Sequence, residues 1–252
     1  MKIHQVPIRK ERLLAMPEVE RTFLLGIGHI ANEIMVLQKL AVASAVSGGD
    51  GDALLLRIHA TQTLTLVRLL AGKLLEAWEF LGRAFYANRL GQTWDADTIG
   101  AEAADSLSVM AKYFGRADCL VRTIRNEFGF HYDKDQIAAS PELIGDDEAW
   151  EIILADTSGN SLYYVADLVA NHALLKRLAV ADDVSASLEK ILDDIGNIAG
   201  AWSAFVGGCW AHAMETYFPI EDERDVWTRR DVEGAPHISE VQLEFFHELS
   251  KK

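Results

Sequence analysis

Residues 17–45 read PEVERTFLLGIGHIANEIMVLQKLAVASA, and this stretch decides the fold. Phe23, Leu24, Ile27, Ile30, Ala31, Ile34 and Leu37 recur at steps of three and four, the spacing that lines one face of an α-helix. Pro17 suits a first helical turn, where its missing N–H would have no partner in any case. One long helix from about Pro17 to Ala45 is expected. Ser47-Gly48-Gly49-Asp50-Gly51 then reads as a glycine-rich stop. From Asp52 to about Arg89 the pattern resumes, with Leu56, Leu64, Val67, Leu70, Leu74, Trp78, Leu81 and Phe85 on one side. Two long antiparallel helices joined by a short turn follow.

Downstream, Asp95, Asp97, Glu102 and Asp105 mark an acidic connector and the start of a third helix, where negative charge complements the helix dipole. It is expected to bend at Gly115, to reach Asn126 or Phe128, and to exit at Gly129. After Ser140-Pro141, Trp150–Ala155 and Ser161–Val165 flank a glycine-containing loop and read as a β-hairpin. Helical texture returns at 166–178 and 184–217 and stops before Pro219. Residues 220–233 are dense in mixed charge and read as an exposed linker. Ser239 with Gln242 resembles a capping box for a short terminal helix. The fold class expected is mainly α, a bundle of long antiparallel helices with one small β-hairpin insertion. Three regions are drawn: a helical bundle at 1–135, a hairpin and helices on the same core at 136–218, and a linker with a terminal helix at 219–252.

The 252 residues carry 38 acids against 24 Lys and Arg, a net charge of −14, which disfavours whole-surface binding to a polyanion. Any nucleic-acid contact must come from a local patch. Cys119 and Cys209 lie far apart in no Cys-x-x-Cys pair, so neither a zinc ribbon nor a disulfide framework is suggested, and a cytoplasmic setting is expected. No apolar leader follows Met1. Ile195 to Met214 lacks formal charge if His212 is neutral, but Asn197, Ser203 and four glycines mark it as a buried helix, and no membrane partner is expected. On that helix Gly196, Gly200, Ala204 and Gly208 form a row of small residues suited to close intramolecular packing or, as the alternative, a dimer seam.

Chemistry concentrates in Arg125-Asn126-Glu127-Phe128-Gly129-Phe130-His131-Tyr132. An arginine, a polar residue and a histidine six positions on resemble the Arg-x(4–6)-His signature of the HEPN superfamily of helical, nucleotide-binding domains. The resemblance covers at most residues 15–135. It implies a helical domain that binds RNA or cleaves it as a metal-independent endoribonuclease of toxin or defence type. It also implies a composite site at a homodimer interface, an antitoxin or other protein as partner, and no cofactor. Arg125 would hold the scissile phosphate, His131 would move a proton, and Asn126 would orient the histidine or the phosphate. Lys112, Arg116 and Arg122 would extend the contact to RNA, although helical geometry spreads them around the axis. Asn32, Glu33 and Tyr132 are supporting candidates, with His29 completing a polar spot on the first helix. Tyr132 departs from HEPN toxins whose tyrosine lies two positions beyond the histidine, so no switch by tyrosine modification is implied.

On an unbroken helix, residues six apart point roughly 120° apart and are separated by about 9 Å along the axis. Arg125 and His131 can act together only if the helix breaks near Gly129 or a second chain supplies its own copy. A structural reading pairs Arg125 with Glu127 or Glu33 and makes His131 a helix cap. The rival functional reading is a non-catalytic helical interaction module that binds a protein partner through its acidic surface and hairpin. A third places a small-molecule pocket among Trp78, Trp202 and Trp210, although aromatics at helical spacing more often fill a core. Lys73 with Glu76 forms a further polar pair. Glu244-x-x-His247 has metal-bundle spacing but lacks a second copy. No His-Glu-x-x-His, phosphate-cradling glycine loop or nucleophile elbow is present.

Overall fold

The computed structural model describes residues 1–46, 51–129, 134–177 and 184–248, and the expected glycine turn at 47–50 lies outside them. The chain is mainly α-helical with one small two-stranded antiparallel sheet. Strand β1 is Lys2–Gln5, followed by α1 (Lys10–Ala15), α2 (Glu18–Val46) and α3 (Ala53–Leu81). A π-helical turn, Gly82–Tyr86, extends α3 and ends it three residues short of the expected Arg89, which is left-handed. Then come α4 (Ala96–Ile99), α5 (Ala101–Phe114), α6 (Leu120–Thr123) and a second π-helical turn, Ile124–Gly129. Last are α7 (Lys134–Ala139), α8 (Tyr164–Arg177), α9 (Val184–Tyr217) and β2 (Thr228–Asp231). Among the described residues no helix is long and apolar enough to cross a membrane.

The chain divides into two compact units, one of residues 1–34, 73–117 and 197–236, the other of 35–72, 118–196 and 237–252. In the first, α2 and α3 run antiparallel. Gly26 faces the Phe80 ring and Glu33 faces Lys73, so seven residues forward on one helix is seven back on the other. Their apolar faces meet Phe85 and Trp94 from the segment after α3, and Phe205 from α9. Phe23 sits 5.3 Å from Phe85 and 5.4 Å from Trp94, and Phe85 sits 5.7 Å from Phe205, in tilted and edge-on contacts that suit ring quadrupoles. Trp94 and Tyr217 satisfy their polar ends on one carboxylate, donating to Glu20 Oε2 at 3.1 and 2.6 Å. Burial, with the Glu20 contact, pushes the Tyr217 hydroxyl up to about 12. Trp202 is buried, while Trp78, stacked on Phe114 at 5.2 Å, and Trp210, beside Gly28, are half-buried.

Two features of this unit depart from the expectations. Residues 220–233 are not a linker: β2 pairs with β1, Lys2 opposite Asp231 and Gln5 opposite Thr228, in a sheet of chain-distant partners. Just before it, Asp225 is only 5 % exposed and is clasped by two arginines. Arg9 donates to both its oxygens, with Nε to Oδ1 at 2.5 Å, Arg12 Nη2 reaches Oδ2 at 3.0 Å, and the Glu221 N–H adds a bond at 3.0 Å. Burial pushes this carboxyl up, but the Arg9 and backbone hydrogen bonds and the Arg12 charge outweigh it and hold it at about 2, against an ordinary 3.8. The expected third helix is broken as well, because α5 ends at its cap Gly115 and the extended backbone of Cys119 precedes the start of α6 at Leu120.

In the second unit, Ser44 and Thr63 join α2 to α3 through buried hydroxyls 3.1 Å apart. Arg57 pairs with Glu151 at 2.6 Å and covers the Tyr164 ring, and Arg68 meets Asp167 of α8 at 3.4 Å. The expected hairpin is reduced to one antiparallel bridge, Ile153 with Leu162, closed by a 3-10 turn at Ser158–Asn160. Pairing stops there because Glu151 O accepts from Val165 and Ala155 N donates to the Ser161 hydroxyl. The terminal helix is likewise one 3-10 turn, Ile238–Glu240, whose cap is His237 rather than Ser239. The segment after it crosses the unit, with Leu243 N to Ala43 O at 3.4 Å and Asn160 exchanging two bonds with the His247 backbone.

The small-residue row on α9 makes one close contact. A Cβ on Gly208 would sit 2.4 Å from Ile99 O and from Ala103 Cβ, whereas one on Gly200 would meet nothing within 4 Å. Gly208→Ala is therefore expected to destabilise by about 1–3 kcal/mol through overpacking against backbone. Gly200→Ala should stabilise by about 0.5–1 kcal/mol through helix propensity. Urea denaturation of the two variants reads this difference in sign. Because Asp225 titrates lower folded than unfolded, its clasp contributes stability that is complete above the unfolded value and is lost as pH falls from 3.8 toward about 2. Asp225→Asn should lower stability at neutral pH and flatten the loss across that acid window, read from denaturation midpoints over a pH series.

Candidate functional site

Arg125 and Asn126 occupy the first half of the π-helical turn Ile124–Gly129. Ile124 is fully buried and, with Val121 one turn earlier, anchors the turn, which packs against α6 and α8. That anchoring leaves the Arg125 side chain half-buried and Asn126 exposed. Arg125 Nη1 donates to Asn126 Oδ1 at 3.1 Å. The neighbouring amide thus holds one arm of the fork, which limits the rotamers of a long side chain before any ligand arrives. A π-helical turn is uncommon and tends to occur where a helix is bent to serve a site. His131 and Tyr132 lie outside the described residues.

The other expected residues divide between the two units. Arg122, half-buried on α6, shares a unit with Arg125 and Asn126. Lys112 and Arg116 are exposed in the first unit, at the C-terminal end of α5, where cations also complement the helix dipole. Asn32 is exposed and Glu33 half-buried on α2, again in the first unit. Glu33 already has partners: Lys73 Nζ lies at 3.1 Å and His29 Nε2 at 3.8 Å. Lys73 also approaches Glu76 at 3.7 Å, and these groups line a groove of about 450 Å³ that Glu79, Phe80 and Arg83 complete. Its charges are of mixed sign and open to water, so it holds no strong field for either ion type.

Glu244 faces the buried His59 ring at 3.9 Å, while His247 serves Asn160 through its backbone, so the Glu244-x-x-His247 spacing does not converge on one point. Among the described residues no group of three or more His, Cys, Asp or Glu is arranged to hold a metal ion. Cys119 and Cys209 are buried free thiols, and burial pushes the Cys209 thiol well above its ordinary range.

Two features lay outside the expectations. The first is a cavity of about 640 Å³ in the second unit, lined by Leu69, Ile137, Pro141 and Val165 with the Arg68–Asp167 pair. The signal for it was weak, because Arg68 and Asp167 are 99 residues apart and neither stands in a motif. The second is the outward row Trp150, Ile152 and Leu154, whose alternation in the sequence reads as half of a hairpin. Comparison of the chain with protein-family models, with curated proteins and with solved structures finds no match.

Proposed function

We propose that the chain is a HEPN-like protein that binds RNA and cleaves it without a metal, with Arg125, Asn126 and His131 as its site and a second copy completing that site. The observation that carries this reading is the Arg125–Asn126 pair, held at 3.1 Å on an accessible π-helical turn, six residues before a histidine in the sequence. The free buried cysteines accord with a reducing, cytoplasmic setting.

The roles follow from the chemistry of each group. A guanidinium is always charged, and its planar fork matches two phosphate oxygens, so Arg125 stabilises charge as the phosphorus becomes crowded. Imidazole exchanges a proton near neutral pH, so His131 takes the proton of the ribose 2′-hydroxyl or delivers one to the leaving oxygen. As the 2′-oxygen bonds to phosphorus, the bond to the 5′-oxygen breaks and that oxygen is protonated. The products are a 2′,3′-cyclic phosphate and a 5′-hydroxyl end. DNA lacks the attacking hydroxyl and is not a substrate. Asn126 keeps the guanidinium oriented. A second copy answers the geometric problem of the six-residue spacing, and an antitoxin-type protein would be the natural partner for a toxin of this kind.

RNA cleavage in the presence of EDTA by the purified protein is the test. Arg125→Ala and His131→Ala are each expected to lower the rate by about a hundredfold or more. Arg125→Lys should recover little of it, because a point charge cannot make the forked contact. Equal cleavage by wild type and variants, or none by any form, would remove the catalytic claim.

A further inference from the structure

The bridge between Ile153 and Leu162 leaves one side of its strand open. These two residues exchange both N–H···O bonds, each 2.8 Å long, which defines a hydrogen-bonded antiparallel pair. In such a pair the residues on either side of Ile153 turn their backbone groups to the opposite edge. Those residues are Ile152 and Leu154, and among the described residues neither backbone has a hydrogen-bond partner. Their side chains are 51 % and 75 % exposed, with Tyr163 beside the bridge at 65 %, and Trp150 continues the same alternation. Edges of this kind are normally blunted by lysine, proline or a covering element. Residues 148–162 contain neither lysine nor proline.

Within the strand Glu151 is paired with Arg57 at 2.6 Å, and the exposed charges that flank it are acidic. Asp146, Asp147 and Glu148 precede it and Asp156 follows it, all exposed and none ion-paired to a described residue. From Asp135 to Leu175 the chain carries no lysine or arginine at all. A second copy of the chain would bring the same acids against themselves, and like charges across a strand pair are destabilising. A nucleic acid would be repelled for the same reason.

We propose that the Trp150–Leu154 edge is a docking site for an extended, basic segment of a partner protein, which adds to it as a strand. The open N–H and C=O groups of Ile152 and Leu154 supply backbone pairing, the exposed apolar row receives alternate apolar side chains, and the flanking acids select lysine or arginine between them. This site is independent of the RNA reading, since it uses neither Arg125 nor its turn.

A fluorescein-labelled peptide of alternating lysine and valine tests the proposal on the full chain, by anisotropy and by hydrogen exchange of individual amides. The peptide is expected to bind and to slow exchange at the Ile152 and Leu154 amides. The same peptide N-methylated at every second residue should bind at least about tenfold more weakly, because the backbone bonds are blocked while charge is kept. The Ile152→Lys, Leu154→Lys double variant, altered only at exposed positions, should lose binding while its circular dichroism is unchanged. Undiminished binding of the methylated peptide, equal binding of a glutamate–valine peptide, or unchanged exchange at both amides would overturn the proposal.

Discussion

The antiparallel pairing of α2 with α3 is the constraint on which the rest of the molecule depends. Each helix has an apolar stripe that cannot be left in water, since burying one Leu, Ile or Phe side chain contributes about 1.5–3 kcal/mol. Phe23, Leu24, Ile27 and Ile34 on α2 and Leu70, Leu74, Leu75 and Leu81 on α3 are buried, and no helix of this length would persist alone on propensity. Register is set where backbones must come close or charges must meet. Gly26 admits the Phe80 ring, which a Cβ at that position would strike at 2.2 Å, and Glu33 meets Lys73. Once that register is fixed, Phe23 presents its ring to Phe85 and Trp94, and α9 closes the cluster with Phe205. In the second unit the same two helices meet where the buried Thr63 hydroxyl donates to Ser44 Oγ, which in turn donates to the His59 carbonyl.

Periodicity made this part of the fold legible. The helices expected at 17–45, 166–178 and 184–217 are Glu18–Val46, Tyr164–Arg177 and Val184–Tyr217, because each carries its signal in neighbouring residues. The sheet was not legible. Thr228-Arg229-Arg230-Asp231 shows no apolar alternation, and its partner strand lies at the other end of the chain, so nothing local identifies either as a strand. Asp225 was hidden for a related reason. A buried carboxylate looks like any surface acid until the arginines that compensate it are placed, and Arg9 and Arg12 are more than 200 residues away. The hairpin was over-read in the opposite direction. Trp150–Ala155 alternates as a strand should, but strand length is decided by which backbone groups find partners, and side-chain pattern does not report that.

The candidate site was legible as chemistry and only partly as geometry. Arg125 and Asn126 are adjacent in sequence, yet their contact was not among the expected pairings, which set Arg125 against Glu127 or Glu33. The π-helical turn that carries them has no compositional signature, because widening a turn by one residue depends on packing of Ile124 beneath it rather than on the residues exposed above. Glu33 shows the limit of spacing arguments. His29, Asn32 and Glu33 do share one helical face, but the carboxylate there is committed to Lys73, a residue that only the α2–α3 register brings near.

Electrostatics ties these observations to function. A net charge of −14 spread over this chain is not a uniform field, since at physiological salt exposed charges are screened beyond about 8 Å. What a ligand senses is the local sign. The exposed acids Asp146, Asp147, Glu148 and Asp156 make one stretch hostile to phosphate, although Arg57 and Arg68 meet Glu151 and Asp167 within it, while Arg122 and Arg125 lie in the only nearby run of sequence where basic residues outnumber acids. On the proposed reading, an RNA strand is repelled by the first stretch, and its contact is short and centred on the π-helical turn. Catalysis tolerates that restriction better than binding does. Cleavage needs one phosphate held correctly for the time of reaction, whereas tight binding of a long strand needs many phosphates neutralised at once. Within the proposed function, the charge distribution therefore suits contact with RNA at a point better than a surface that coats it.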